Sequence, residues 1–163
     1  MDKKLAKEMN AQITKELFSA YLYLSMAAYF EDKSLTGMAN WMKIQAKEET
    51  EHAMKFFSFL IDRGVKVELD AIAKPSADFK SIKAVFQETL AHEKTVTASI
   101  NNLYSIAQKV EDNPSLVFLG WFINEQVEEE KNPTEILAKL EYIREDSAGV
   151  IMLDKELGAR VKD

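Results

Sequence analysis

The chain has 163 residues, 47% of them apolar, with five glycines, three prolines and a net charge of −6, which fits a single globular domain over residues 1–163 built mostly from long helices and excludes a disordered chain. The absence of cysteine excludes disulfides, thiol catalysis and thiolate-held metals, and the acidic balance argues against nucleic acid as a partner. No apolar leader opens the sequence and the longest nearly apolar run, Ala20 to Phe30, is too short to span a bilayer, so a soluble, cytoplasmic protein with no membrane partner is expected.

A first helix is predicted from about Lys4 to Asp32. Its apolar stripe reads Ile13, Glu16, Ala20, Tyr23, Ala27, Phe30, in steps of three and four. Glu16 interrupts that stripe; taken alone, it reads as a boundary residue reaching for solvent. Lys33 and Ser34 form a short connection, with Ser34 the expected N-cap of a second helix from about Leu35 to Arg63. Gly64 supplies a left-handed stop. The second stripe is Met38, Met42, Gln45, Glu49, His52, Phe56, Phe59. Glu49 and His52 thus point inward one turn apart, and a buried unpaired carboxylate needs compensation. The short connection makes these two helices antiparallel neighbours. Glu16 lies 17 residues before residue 33 and Glu49 lies 16 after it, so the two carboxylates are level.

Gly64 to Ser81 lacks helical periodicity, although Val65, Val67 and Leu69 alternate with polar residues. A helix of about 29 residues is roughly 43 Å long, and about 17 extended residues reach roughly 56 Å. The segment can therefore cross the whole bundle, which would set the third helix parallel to the second. That third helix is expected from about Ile82 to Val110, with the stripe Ile82, Phe86, Thr89, Glu93, Val96, Ile100, Leu103, Ala107, Val110. Asn113 and Pro114 read as N-cap and first residue of a fourth helix running to about Arg144. Its stripe is Leu119, Phe122, Gln126, Glu129, Pro133, Ile136, Leu140, Ile143, and Pro133 is expected to kink it. Glu93 lies 19 residues before residue 112 and Glu129 17 after it, so these too are level. A short last helix, from about Ser147 to Arg160, shows Val150, Leu153, Leu157 and Val161 on one side and must dock on the bundle.

Each long helix is therefore apolar along one face and polar at one level, which collects Glu16, Glu49, His52, Glu93, Gln126 and Glu129. Four carboxylates in an apolar core cannot all ionise without a cation; a proton-sharing carboxylate network is the alternative. Oxygen ligands with one imidazole suit a pair of iron ions. Di-iron carboxylate bundles use one Glu from each of two helices and Glu-x-x-His from each of the other two. Here one Glu-x-x-His is replaced by Gln126-x-x-Glu129, whose amide is a weaker ligand, so one iron should be held less firmly. That suits a site which takes in ferrous iron, oxidises it and passes it on. Glu48, Glu125 and Glu128 lie beside the stripe, as a solvated face or as stepping stones for ferric ions.

These residues resemble a non-haem ferritin of the bacterial or archaeal type. The likeness covers essentially the whole chain and rests on Glu16 to Tyr23 (ELFSAYLY), Glu48 to His52 (EETEH), His92-Glu93, Trp121 to Glu130 (WFINEQVEEE) and Leu153 to Leu157 (LDKEL). It implies a ferritin-like four-helix bundle with one long crossover and a short fifth helix. It implies an iron-storage protein with ferroxidase activity, using dioxygen or hydrogen peroxide. Glu16, Glu49 and His52 would hold one iron; Glu49 as bridge, Glu93 and Glu129 would hold the second, with Gln126 adjacent. Tyr23 and Trp121 would be nearby redox-active aromatics, and a third iron would use Glu48, Glu125, Glu128 and Glu129. The family also implies a homo-oligomeric shell of 24 subunits around a ferric mineral, with the last helix at four-fold axes. Thr50 stands where bacterioferritins carry their haem-ligating Met, so no haem is expected. Leu116 and Leu119 stand where vertebrate ferritins carry acidic residues along a three-fold channel. A rubrerythrin-like peroxidase without a storage cavity is the alternative, although such proteins usually carry a cysteine-ligated iron.

Overall fold

The computed structural model describes residues 1–161. Among these, the helices are α1 (Lys3–Asp32), α2 (Thr36–Asp62), α3 (Ile82–Lys109), α4 (Asn113–Leu140) and α5 (Ala148–Gly158). The first four form a bundle in which α1 packs on α2 and α3 on α4, with α5 seated on α2. The segment between α2 and α3 is the predicted crossover. It climbs α1 from the Asn10 end, where Glu68 N donates to Asn10 Oδ1 at 2.8 Å, to the Ser25 end, where Ser25 Oγ donates to Ser76 O at 2.6 Å. It ends with Phe79 against Tyr29, 5.3 Å between centroids. Helix α3 therefore starts where α2 starts, and the two run parallel. Val65 and Val67 pack on the core, but Leu69 is exposed. Polar side chains of α1 do the fastening there, and apolar alternation ends two residues early.

Three helices end in the same hydrogen-bonded motif, each with its left-handed residue just past the end. Gly64 (φ 68), Ser34 (φ 59) and Glu111 (φ 54) occupy that position. At the end of α2, Gly64 N bonds Ile61 O and Val65 N bonds Leu60 O, both at 2.9 Å. Ser34 is thus a terminator of α1 and not the N-cap of α2. That cap is Leu35, which offers no side-chain bond. The N-cap of α4 is likewise Asp112, not Asn113. Arg63 grips the Asp112 carboxylate at 2.8 and 3.0 Å, and the same carboxylate accepts from Ser115 N at 3.1 Å. These bonds from Arg63 hold the Asp112 pKa down at about 2. Glu111 has no such compensation for its left-handed backbone. Glu111→Gly should therefore stabilise the fold by up to about 1 kcal/mol once glycine's extra unfolded freedom is subtracted, and so raise the melting temperature. Glu111→Ala should give no gain in the same thermal unfolding experiment.

Helix α4 continues unbroken past the buried Pro133 but stops at Leu140, four residues before the expected end. Tyr142 is 92% exposed, so the apolar stripe has run out. Arg144 instead bonds Asp146 through Nε and Nη2, closing a turn. Ile143 packs on the core from that turn, not from a helix. At the stripe edges, Val110 and Val161 are exposed and Phe59 is only partly buried. Leu119 is fully buried in the core.

The core is two apolar clusters, not one. The first gathers Tyr23, Phe30, Met38, Trp41 and Phe86 with Val150, Leu153 and Leu157 of α5. The second gathers Leu5, Met9, Phe56, Leu60, Leu103 and Phe122. Between them runs the polar layer.

Candidate metal centre

Helical spacing alone brings the layer together. One residue per turn of each stripe faces the axis, and similar counts from the two hairpin turns put Glu16, Glu49, Glu93 and Glu129 at nearly one depth. All four are nearly sealed from solvent, at 1% to 5% exposure. Their ligand atoms form two groups, each within 4.8 Å: Glu16 with Glu49 and His52, and Glu49 with Glu93 and Glu129. Glu49 belongs to both. A third group joins His52, Glu125 and Glu129. These buried clusters of carboxylate and imidazole are suited to coordinating iron.

Neutral donors hold the layer in place. The Tyr23 hydroxyl, fully buried, donates to Glu93 Oε1. Gln126 Nε2 lies 3.2 Å from Glu93 Oε2 and 3.2 Å from Thr97 Oγ1. Gln12 Nε2 donates to Glu16 Oε1 at 2.8 Å, and Gln45 Nε2 to Glu129 Oε2 at 2.7 Å. Glu16 Oε2 and Glu49 Oε2 are buried and meet no donor. Such orphaned oxygens are what a cation would satisfy.

Burial raises the affinity of every one of these carboxylates for protons. Glu93 is pushed up to about 7 by burial and Glu129 to about 8 by burial and the Glu93 charge. Glu49 is raised well above the carboxylate range by burial and by Glu93, Glu16 and Glu129 around it. Glu16 is raised by burial, opposed by its hydrogen bonds. Burial also raises Tyr23 well above its ordinary value, which keeps it a hydrogen-bond donor. With no cation present, the layer holds protons in the metal's place.

The other sequence-predicted residues sit at the rim. A cavity of about 470 Å³ is lined by Glu48, His52, Trp121, Glu125, Glu129 and Arg160, among others. His52 Nδ1 lies 3.6 Å from Glu49 Oε2 and its Nε2 3.9 Å from Glu125 Oε1, so the ring spans the buried layer and the cavity. Trp121 is 40% exposed; it packs edge-on to His52 at 5.4 Å and carries Lys55 over its face. It stands at the mouth, not within the layer. Glu125 and Glu129 come together with His52, whereas Glu128 is exposed on the rim. Glu48 accepts from Arg160 Nη2 at 2.7 Å, and Arg160 in turn lies over Trp41. Sequence reasoning missed Arg160, because only the docking of α5 brings it here. It also missed Gln12, whose sole signal is its position one turn before Glu16, and gave Gln45 no role. Among the described residues no helix is long and apolar enough to cross a membrane.

Residues 6–143 match the Ferritin family, described as a ferritin-like domain. The chain is 39% identical over 163 residues to the bacterial non-heme ferritin of Staphylococcus aureus (strain USA300), covering all of this chain and 98% of that protein. It is 40% identical, with the same coverage, to that of Staphylococcus haemolyticus (strain JCSC1435). Among solved structures it is similar to a novel open pore ferritin from the hyperthermophilic archaeon Archaeoglobus fulgidus, with a TM-score of 0.97 and 42% identity over 99% of each chain.

Proposed function

The chain belongs to the ferritin family, beside the non-heme ferritins of bacteria and archaea, and from that premise we propose that it is a cytoplasmic iron-storage protein with ferroxidase activity. The single observation that carries this reading is the pair of buried ligand groups sharing Glu49, with orphaned oxygens on Glu16 and Glu49.

Ferrous ions are the substrate and bind as a pair. Glu16, Glu49 and His52 take one; Glu49, Glu93 and Glu129 take the other, with Gln126 beside it. Two ferrous ions give two electrons to dioxygen, which with two protons becomes hydrogen peroxide; peroxide takes two electrons from two further ferrous ions and two protons to give two waters. Cation binding displaces the protons held by the raised carboxyls, so they are available at the point of need. Hard carboxylate oxygens favour the higher charge and so the ferric product. Tyr23, bonded to Glu93, stands close enough to shape that ligand and to exchange an electron. The group of His52, Glu125 and Glu129, with Glu48 and Glu128 beyond it, offers a third iron position on the way out. Ferric iron then mineralises inside a homo-oligomeric shell, for which 24 subunits is the number implied by the family. No haem, membrane or nucleic acid is required, and residues 1–163 act as one ferritin-like domain.

The test adds ferrous iron in air to the purified apo-protein, follows ferric absorbance and sizes the particle by light scattering. Fast oxidation of about two irons per chain is expected, falling to the rate in buffer for Glu49→Ala and His52→Ala. A large particle that accumulates further iron supports storage. Fast oxidation by a small particle would instead favour a soluble di-iron peroxidase, and no oxidation above buffer would overturn the reading.

A further inference from the structure

We propose that Gln12 and Gln45 are positioning residues that each occupy one oxygen of an outer carboxylate, Glu16 and Glu129, so that the cation pair meets one oxygen from each of these and two only from Glu49. The inference rests on the functional reading above, in which Glu16 and Glu129 are ligands, and adds how their mode of binding is set.

Both glutamines are essentially sealed, at 0% and 1% exposure. A buried primary amide is costly unless its donors and acceptor are used, and leucine of similar size would fill the space at less cost. What these amides bond is therefore the informative point. Gln12 Nε2 donates to Glu16 Oε1 at 2.8 Å, one turn along α1. Its orientation is set from the other side. Lys15 Nζ, which can only donate, bonds Ser99 Oγ at 2.7 Å, so the Ser99 hydroxyl proton goes to Gln12 Oε1 at 2.6 Å. The carbonyl must face Ser99 and the amine must face Glu16. Glu16 Oε1 is then taken, and Oε2 is left buried without a donor.

Gln45 does the same across the bundle. It sits one turn before Glu49 on α2, yet its Nε2 reaches Glu129 Oε2 on α4 at 2.7 Å, leaving Glu129 Oε1 for a cation. Its own carbonyl oxygen is buried without a donor, so the bond to Glu129 is what orients it. Glu49, the residue common to both ligand groups, receives no amide. Glu93 accepts at both oxygens, from Tyr23 and from Gln126 at 3.2 Å, and stands apart from this scheme; among the other three, the pattern separates two single-oxygen carboxylates from one that can bridge. Amides are suited to this because they are neutral. A lysine would hold the same oxygen but set a positive charge against the cations. The arrangement keeps four acidic groups for two divalent ions while denying either ion a second oxygen from Glu16 or Glu129.

The test uses the full apo-protein and cobalt(II), which air does not oxidise and whose visible absorption reports coordination number. The wild type should bind two cobalt ions per chain. In Gln12→Leu, one ion should bind about 10- to 100-fold more weakly, with a weaker visible band as Glu16 turns bidentate and coordination number rises. Gln45→Leu should change the other ion in the same way. Ser99→Ala removes the hydroxyl that aims the Gln12 amide, together with its exposed bond from Lys15, and should shift the first ion in the same direction by a smaller factor. If Gln12→Leu fails to fold by circular dichroism, Ser99→Ala decides alone. Wild-type affinity and spectrum in Gln12→Leu and Ser99→Ala would overturn the inference. A wild type that binds no cobalt pair would overturn the ferroxidase reading instead.

Discussion

Stripped of divalent cations, the protein should lose stability as pH rises from about 5 to 8, the reverse of ordinary carboxylates. Burial lifts Glu93 to about 7 and Glu129 to about 8, from 4.5 when unfolded. Across that window the folded chain holds protons that the unfolded chain has released. Stability then falls with pH, being fully present below 4.5 and gone above the folded values. Each tenfold difference in proton affinity between folded and unfolded chain is worth about 1.4 kcal/mol. Because the two groups interact, the combined loss is on the order of several kcal/mol. For a chain of this size that is roughly 10 °C in melting temperature. Asp112 contributes with the opposite sign, but its stabilisation by Arg63 is lost only as pH falls below about 4 towards 2, outside the window; burial holds His92 down at about 4, from 6.5 when unfolded, so it works against the fall up to about pH 6.5, and the net slope is steepest above that. Calorimetry in chelator, at one protein concentration from pH 5 to 8.5, measures the slope. Saturating cobalt(II) should flatten it, since the cations take over the protons' role and bind the folded state alone. Glu129→Gln should flatten it in part. A level profile for the metal-free wild type would mean that the layer is neutralised in some other way.

The layer was legible in the sequence because it depends on two regularities that survive without coordinates. Three- and four-residue spacing identifies which face of each helix turns inward, and similar counts from a short turn identify depth. Glu16, Glu49, His52, Glu93, Gln126 and Glu129 needed nothing more. Features that depend on a bond between distant segments were not legible. Ser34 has the composition of an N-cap and serves as a left-handed terminator, because the cap of α2 comes from elsewhere. Asp112 displaces Asn113 as N-cap because Arg63, 49 residues away, orients its carboxylate. Arg160 reaches Glu48 from 112 residues away. The crossover was read correctly for its span. Its fastening by Asn10, Thr14 and Ser25 was not, since a polar residue on the outer face of a helix looks solvated until something lies over it.

Gly37→Ala should detach α5 while leaving the four-helix layer intact. A β-carbon on Gly37 would stand 1.8 Å from Asp154 O and 3.0 Å from Gly158 N, and both are backbone atoms that cannot swing aside. Helices α2 and α5 cross backbone to backbone at this point. The crossing also supplies the cap that α2 lacks locally, for Asp154 Oδ1 accepts from Met38 N at 2.8 Å. Displacing α5 loses that bond and uncovers Val150, Leu153 and Leu157, now 3% to 7% exposed. The cost is about 3 kcal/mol or more. Eleven residues without a partner cannot remain helical, so helicity should fall by about that length, and protease should cut between residues 141 and 161. Gly158→Ala is the graded comparison. Its β-carbon would meet the Gly37 Cα at 3.0 Å and the Gly37 N at 4.0 Å, a far milder approach than 1.8 Å, so a few tenths of an ångström of adjustment should suffice and α5 should stay protected. Cobalt(II) binding separates the two levels of organisation. None of Glu16, Glu49, Glu93 or Glu129 is carried by α5, so Gly37→Ala should keep the cation pair while the Arg160–Glu48 ion pair is lost. Loss of the cation pair as well would mean that α5 holds α2 in register at the depth of Glu49. In that case the layer would be set by five helices and not by four.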